Sequence, residues 1–335
     1  MSATPEISAD PVEPHWISRA AFPVLNGLFY LSQIVLGVAV YHDNYWVAVP
    51  MALVTSHLMH TLLIAFHEAS HGLLRKKRLV NEIDGVAIGI FSLTSFSLYR
   101  AAHQLHHAYL ASERDEELWP FNIPGMPRWA RILAAILELT MGMVFTPFLF
   151  VRTFVRKGSP IRNKKLRRRI WMEYGAIVLF WAVAFTLFSI FHLWKYYLWL
   201  HLIPGWIAGN MQSIRKYVEH IGLLGATVNG STRSIVAKGW FANFVTFTLL
   251  HEPYHGVHHW RSGMAHPELP RYTAALEPTT PEERPPFPNY RSAFQDLIVQ
   301  LPDPKVGAQW LGIRRVTRQE LAKQTAETQL TPEVE

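Results

Sequence analysis

The stretch Leu250-His251-Glu252-Pro253-Tyr254-His255-Gly256-Val257-His258-His259-Trp260 packs four histidines into eleven residues. Two other runs carry the same signature, His67-Glu68-Ala69-Ser70-His71 and His103-Gln104-Leu105-His106-His107, and a single His220 follows Tyr217-Val218-Glu219. On a helix, residues three or four apart share a face. His67 with His71, His103 with His106 and His107, and His255 with His258 and His259 can therefore each grip one ion together. Free imidazoles crowded in this way repel one another when protonated and are costly to desolvate when neutral. Imidazole suits zinc, copper, nickel and iron, and zinc usually takes four ligands, one position staying open in catalytic sites. Eight box histidines plus His220 exceed what one ion needs, so the number itself argues for two metals.

Composition gives the setting. Half of the 335 residues are apolar and the mean hydropathy is slightly positive, which favours one integral membrane domain over two soluble ones. The absence of cysteine excludes disulfides and any thiolate-held zinc or iron-sulfur centre within this chain, so electrons, if the protein needs them, must come from elsewhere. The net charge of +7 is concentrated: Arg152 to Arg169 holds nine Lys or Arg and no acid, and Arg75-Lys76-Lys77-Arg78 forms a second cluster. Both abut apolar segments, so they read as cytoplasmic loops and not as a nucleic-acid surface. The acidic, polar stretch from Met1 to His15 does not resemble a signal peptide, and the first apolar segment is expected to be kept.

Phe22 to Tyr41 and Tyr45 to Phe66 are apolar runs of about twenty residues, long enough to cross the hydrocarbon core. Joined by His42-Asp43-Asn44, they predict a hairpin that delivers His67 and His71 to the side of the basic cluster. Val86 to Leu98 is too short to span and predicts a re-entrant or in-plane segment that lays the second box beside the first. Ala130 to Val151 has basic residues at both ends, so it also predicts an interfacial or re-entrant helix. Ile170 to Phe191 and Tyr196 to Ile214 predict a second hairpin with its outer turn at His192 to Lys195, and Trp240 to Leu250 is again too short to cross. The expected architecture is an all-α integral membrane protein with four transmembrane helices in two hairpins, re-entrant or interfacial helices, and a cytoplasmic histidine-box cap. Its expected parts are a cytoplasmic N-terminal segment (1–21), a membrane domain (22–276) and a polar, proline-rich cytoplasmic tail (277–335).

The order HxxxH, HxxHH, HxxHH resembles the membrane fatty acid desaturase and hydroxylase superfamily of di-iron enzymes, over about His67 to Leu276. Tyr217 to Gly222 is similar to the isolated-histidine motif of alkane hydroxylases; Thr232-Arg233 precedes the third box, and Pro267-x-x-Pro270 follows it. The resemblance implies that His67, His71, His103, His106, His107, His220, His255, His258 and His259 are iron ligands. It also implies two irons, dioxygen as co-substrate and an external reductant, with a lipid or acyl chain as substrate. No His-Pro-Gly-Gly haem motif of a fused cytochrome is present. The electron donor is therefore expected to be a separate ferredoxin-, rubredoxin- or cytochrome-type protein with an NAD(P)H reductase, docking on basic loops.

One departure is His251, where related bacterial desaturases often carry asparagine; it reads as an extra ligand, an outer hydrogen-bond partner or a neutral substitution. Glu68, Asp84, Asp115, Glu219 and Glu252 are candidates to hold ring N–H groups of ligating histidines. His15, His42, His57, His192 and His201 read as ordinary hydrogen-bonded or interfacial residues, and His60, seven before His67, as a packed residue near the route to the site. Two other classes compete. His67-Glu68-x-x-His71 fits a zinc metalloprotease, with Asp84 as the only nearby third ligand, but this leaves two boxes without purpose. A metal transporter would want ligands at mid-bilayer, where only His57, His60 and Glu173 stand. The reading adopted is a fatty acyl desaturase in an inner or plasma membrane, with the active site facing the cytoplasm. The runner-up is a hydroxylase or ketolase of an alkyl, acyl or terpenoid chain. The substrate tunnel is expected between the spans, lined by Phe66, Phe91, Phe96, Trp199 and Trp206.

Overall fold

The computed structural model describes residues 20–281 and 283–313. Helices α1 (Ala21–Tyr41), α2 (Tyr45–Ser70) and α7 (Lys164–Ile190) are long and apolar enough to cross a membrane. Much of their surface is bare hydrocarbon, as at Leu28, Ile34, Leu53, Val178 and Ile190. A helix satisfies its own backbone, so such faces are stable against lipid tails. The turn between α1 and α2 uses Asp43 at φ +52°, and the Asn44 side chain caps α2 by accepting from the Val47 N–H at 3.3 Å.

After α7 the chain returns through α8 (Trp194–Tyr197), a π-helical turn (Leu198–Leu202) and α9 (Ile203–His220) without a helical break. This is the expected second hairpin, but its return arm is not one of the three candidate spans. The π turn interrupts its ladder, and Arg215, Lys216 and Glu219 crowd its last turns. Gln33 of α1 donates to the Leu200 carbonyl at 3.0 Å, satisfying an acceptor within the π turn. An ion pair from Asp43 to Lys195 joins the outer turns of the two hairpins, and the Tyr45 and Trp199 rings lie 5.5 Å apart beside it.

Helices α3 (Arg78–Phe91) and α4 (Phe96–Tyr109) meet at a 101° bend, the geometry of a broken span or a re-entrant loop. Glu173 of α7 fixes the bend: it accepts from the Ser95 hydroxyl at 2.6 Å, the Ser97 N–H at 2.9 Å and the Ser97 hydroxyl at 2.6 Å. A carboxylate there also suits the positive end of α4. Glu173 is thus a helix cap and not a transport ligand. The segment expected as one helix over 130–151 is two, α5 (Arg128–Thr140) and α6 (Gly142–Val155), broken at Met141. The break is seated on α9 by glycines: a Cβ on Gly142 would lie 2.4 Å from the Gly209 carbonyl oxygen, and one on Gly209 2.4 Å from the Met143 nitrogen. From there α6 runs to Arg152 and Arg156, which pair with Glu116 beside the second box.

The remaining short helices α10 (Val228–Ser231), α11 (Trp240–Thr248) and α12 (His255–Trp260), with a 3-10 segment over His266–Leu276, build the histidine end. No boundary in packing follows Leu276. Helix α13 (Tyr290–Gln300) and the residues after it enter the core with Leu110, Phe121, Tyr217 and Ile221. The Gly222 N–H donates to the Lys305 carbonyl at 2.8 Å and the Val306 N–H to the Phe121 carbonyl at 3.0 Å. Residues 290–313 therefore strap the loop after the second box to the end of α9. Most of the expected 1–21 segment and the tail beyond 313 lie outside the described residues.

Candidate metal centre

Four elements bring the histidines together: the end of α2, the last turns of α4, the end of α9 and all of α12. The nine fall into two groups. His67, His71, His103, His107 and His258 form one, and His106, His220, His255 and His259 the other; within each, the nearest nitrogens lie within 4.8 Å of one another and could hold a metal ion. The adjacent pair His106 and His107 is split between the groups, as is His258 and His259, because neighbouring residues on a helix face different ways. Helices α4 and α12 each serve both.

The Nε2 atoms face one another at short range: His71 to His103, His103 to His107 and His107 to His258 are each 3.0 Å, His220 to His255 2.9 Å and His255 to His259 3.0 Å. The outer nitrogens decide which ring atom carries the proton. His106 Nδ1 donates to Asp115 at 2.8 Å, His103 Nδ1 to Glu117 at 3.0 Å, His255 Nδ1 to Glu252 at 3.0 Å and His220 Nδ1 to the Ser231 carbonyl at 3.1 Å. With the proton at Nδ1, each of these rings turns a lone pair inward. Lone pairs converging at 3.0 Å are the donor set of a cation. Each group offers enough converging nitrogens to hold one ion.

Glu252 joins the two groups. One oxygen faces His67 Nδ1 at 3.4 Å, and the other accepts from His255 Nδ1 and, at 2.7 Å, from Arg215. Burial alone would raise its pKa, but His67 and Arg215 hold it well below the usual carboxylate range. Glu252 reaches this position through a turn in which Leu250 and His251 both adopt left-handed backbone, φ +48° and +57°. Such a conformation in residues other than glycine costs about 1–3 kcal/mol each and marks functional sites. Burial pushes Glu117 up to about 7 and, as the main cause, holds His255 down to about 4, so the ring stays neutral and available as a donor.

Of the other candidates, Asp115 and Glu252 contact ring nitrogens directly. Glu219 lies 3.7 Å from His255 Nδ1 and is itself paired with Arg215 at 2.8 Å. Glu68 is fully buried beside His67 and Glu252. Asp84 is not brought to the centre; it accepts from Arg75 at 2.6 Å, which also removes the third ligand that a metalloprotease would need. His251 stands outside both groups, its Nδ1 3.0 Å from that of the buried His266. The sequence reading missed Glu117, Arg215, Ser231 and His266. Glu117 sits in an acidic run that reads as solvated, and Arg215 reads as a topology marker.

A cavity of about 550 Å³ opens among the apolar helices. Phe66 and Phe91 line it as expected; Phe96, Trp199 and Trp206 do not. Phe96 packs in the α3–α4 core, and Trp199 packs against the outer hairpin turn. A second space of about 60 Å³ borders His67, His103, His106, His220 and His255. Tyr99, Thr146, Phe150 and Gln212 line both, standing between the apolar cavity and the space beside the histidines.

Apolar helices able to cross a membrane, two groups of histidines that could hold metal and an apolar cavity beside them are the features of a multi-pass membrane protein with a candidate metal centre. Consistent with this, the sequence profile of the fatty acid desaturase family matches residues 44–291, and the chain belongs to that family. It is accordingly an oxidoreductase of the membrane desaturase and hydroxylase type, a class that uses iron and acts on lipid or acyl chains. No curated protein matches the chain.

Proposed function

We propose that the chain is a dioxygen-dependent di-iron fatty acyl desaturase. The observation that carries this reading is the cavity of about 550 Å³ that shares Tyr99, Thr146, Phe150 and Gln212 with the space beside the two histidine groups. His67, His71, His103, His107 and His258 hold one iron, and His106, His220, His255 and His259 the other. Bound iron supplies the activation of dioxygen needed to take hydrogen from an unactivated C–H bond, which no side chain achieves unaided. The protein's own part is orientation and exclusion. Asp115, Glu117 and Glu252 keep ring protons at Nδ1 and the inner nitrogens bare. A neck at these four shared residues admits a narrow chain and aligns one segment of it, and the apolar wall keeps water away.

The histidine end also carries the exposed Lys76, Lys77, Arg78, Lys157, Arg162, Lys164 and Lys165. We assign this face to the cytoplasmic side of an inner or plasma membrane, where it receives an acidic ferredoxin-, rubredoxin- or cytochrome-type donor served by an NAD(P)H reductase. Lipid profiles of cells expressing the wild type and His258→Ala, with iron analysis of both purified proteins, test the proposal. A new double bond absent from the variant, with about two irons per wild-type chain, is the expected result. A hydroxyl or keto product moves the reaction to hydroxylation or ketolation on the same centre, and one zinc per chain with unchanged lipids overturns it.

A further inference from the structure

The far part of the large cavity holds a polar group that the metal chemistry does not use. His201 lies in the π turn and lines the cavity. Its ring stands among Trp181, Tyr197 and Phe91, with centroids at 4.8, 5.7 and 6.1 Å. Its Nε2 is buried without a hydrogen-bond partner. Two polar groups of the cavity are already engaged: Gln33 donates to the Leu200 carbonyl, and the Trp181 N–H donates to the Ile90 carbonyl at 2.9 Å. This differs from the sequence expectation of an ordinary hydrogen-bonded or interfacial histidine.

A neutral imidazole offers one donor and one acceptor. A histidine packed among apolar rings with an unused buried nitrogen is unfavourable for the fold alone. Short π-helical turns collect at functional sites for a related reason, since they re-aim a side chain at the expense of regular bonding. Three aromatic rings around one imidazole form a box of fixed shape with one polar contact to give.

We propose that His201 recognises a second oxygen function, a hydroxyl or carbonyl carried on the apolar substrate apart from any acyl head group and remote from the carbon that reacts. The inference rests on the reading of this cavity as the substrate site. Gln212 at the neck and His201 share one helical run and stand about 16 Å apart along it at about 1.5 Å per residue. A chain whose reacting carbon sits at the neck brings a distant segment to the aromatic box. The substrate class is therefore an oxygen-bearing acyl or terpenoid chain and not a plain hydrocarbon tail.

Equilibrium binding of radiolabelled hexadecanoic acid and 16-hydroxyhexadecanoic acid to the iron-loaded, full-length protein in nanodiscs tests this. The wild type should bind the hydroxy acid roughly tenfold more tightly, the scale of one well-made hydrogen bond. His201→Phe, which keeps a ring and removes both nitrogens, should abolish the difference, and His201→Gln should keep most of it. Equal binding of the two acids by the wild type, or an unchanged ratio in His201→Phe, overturns the role of His201 and leaves the cavity as a lipid site. Binding of neither acid overturns both readings. The wild-type ratio judges the proposal without any variant, so a poorly folding substitution does not protect it.

Discussion

The two histidine groups are built alike inside and differently outside. In the group of four every ring is buried, and His106, His220 and His255 each have Nδ1 fixed by Asp115, the Ser231 carbonyl and Glu252. In the group of five, His71 and His107 are only half-buried. His103 has a close outer partner and His67 a distant one, while His107 and His258 have none at Nδ1 among the described residues. Outer partners fix tautomer and ring orientation, and their loss typically weakens a metal site 10- to 100-fold. The group of four is thus a set template, and the group of five is the looser position, open to exchange and to adjustment during turnover.

Several variants would break or sharpen this contrast, starting with the greatest expected effect. Removing an inner ligand erases one group: His106→Ala and His258→Ala should each lose nearly all activity and about half the iron, read by metal analysis and product formation. Retention of both full iron content and activity by either variant would refute the ligand assignment. Glu252→Gln comes next, because this side chain serves both groups at once. Its activity loss should approach or exceed about 100-fold, more than the sum of effects from carboxylates that serve one group. Asp115→Asn and Glu117→Gln separate the groups. Each should weaken iron affinity at its own group about tenfold, Asp115→Asn at the tight group and Glu117→Gln at the loose one, with at most half the iron lost.

A smaller effect is expected in chelator kinetics. Wild-type iron should leave in two phases, and Asp115→Asn should merge them by speeding the slow one; a single phase in the wild type would show that the groups are equally held.

Acidification should have the mildest effect. Burial holds His251 down to about 4 and His266 down to about 3, against an unfolded value of 6.5. Below 6.5 the unfolded chain binds protons that the folded chain refuses, so stability is fully present above that pH and falls as pH drops towards about 4. Thermal unfolding across that window checks the sign. Replacing His251 and His266 together by Phe should flatten the slope without altering iron content.

Much of this was readable from residue spacing. The i, i+3 and i+4 histidines announced the centre, and apolar length announced α1, α2 and α7. A break was legible because Val86 to Leu98 is too short to span, and the 101° bend found there fits a broken span or a re-entrant loop; its cause, Glu173 capping α4, is a contact across 76 residues or more. The division into five and four was hidden, since it depends on which side of two helices faces which neighbour. Glu117 and Arg215 were hidden for another reason: acidic loops and basic span ends usually face water, and only tertiary packing turns these inward. The strap over 290–313 looked like a polar tail because its apolar contacts, Ala293, Leu297 and Val306, are few and scattered.

That strap has a consequence for the order in which the protein is made. Every box histidine and every candidate span precedes it in the chain, and synthesis runs from the N-terminus at a rate slow enough for helices to form as they emerge. The loop bearing Asp115 and Glu117 is therefore without its clasp to α9 until residues 290–313 have left the ribosome. Docking of residues 290–313 onto Phe121 and Gly222 can only follow the synthesis of all three histidine boxes.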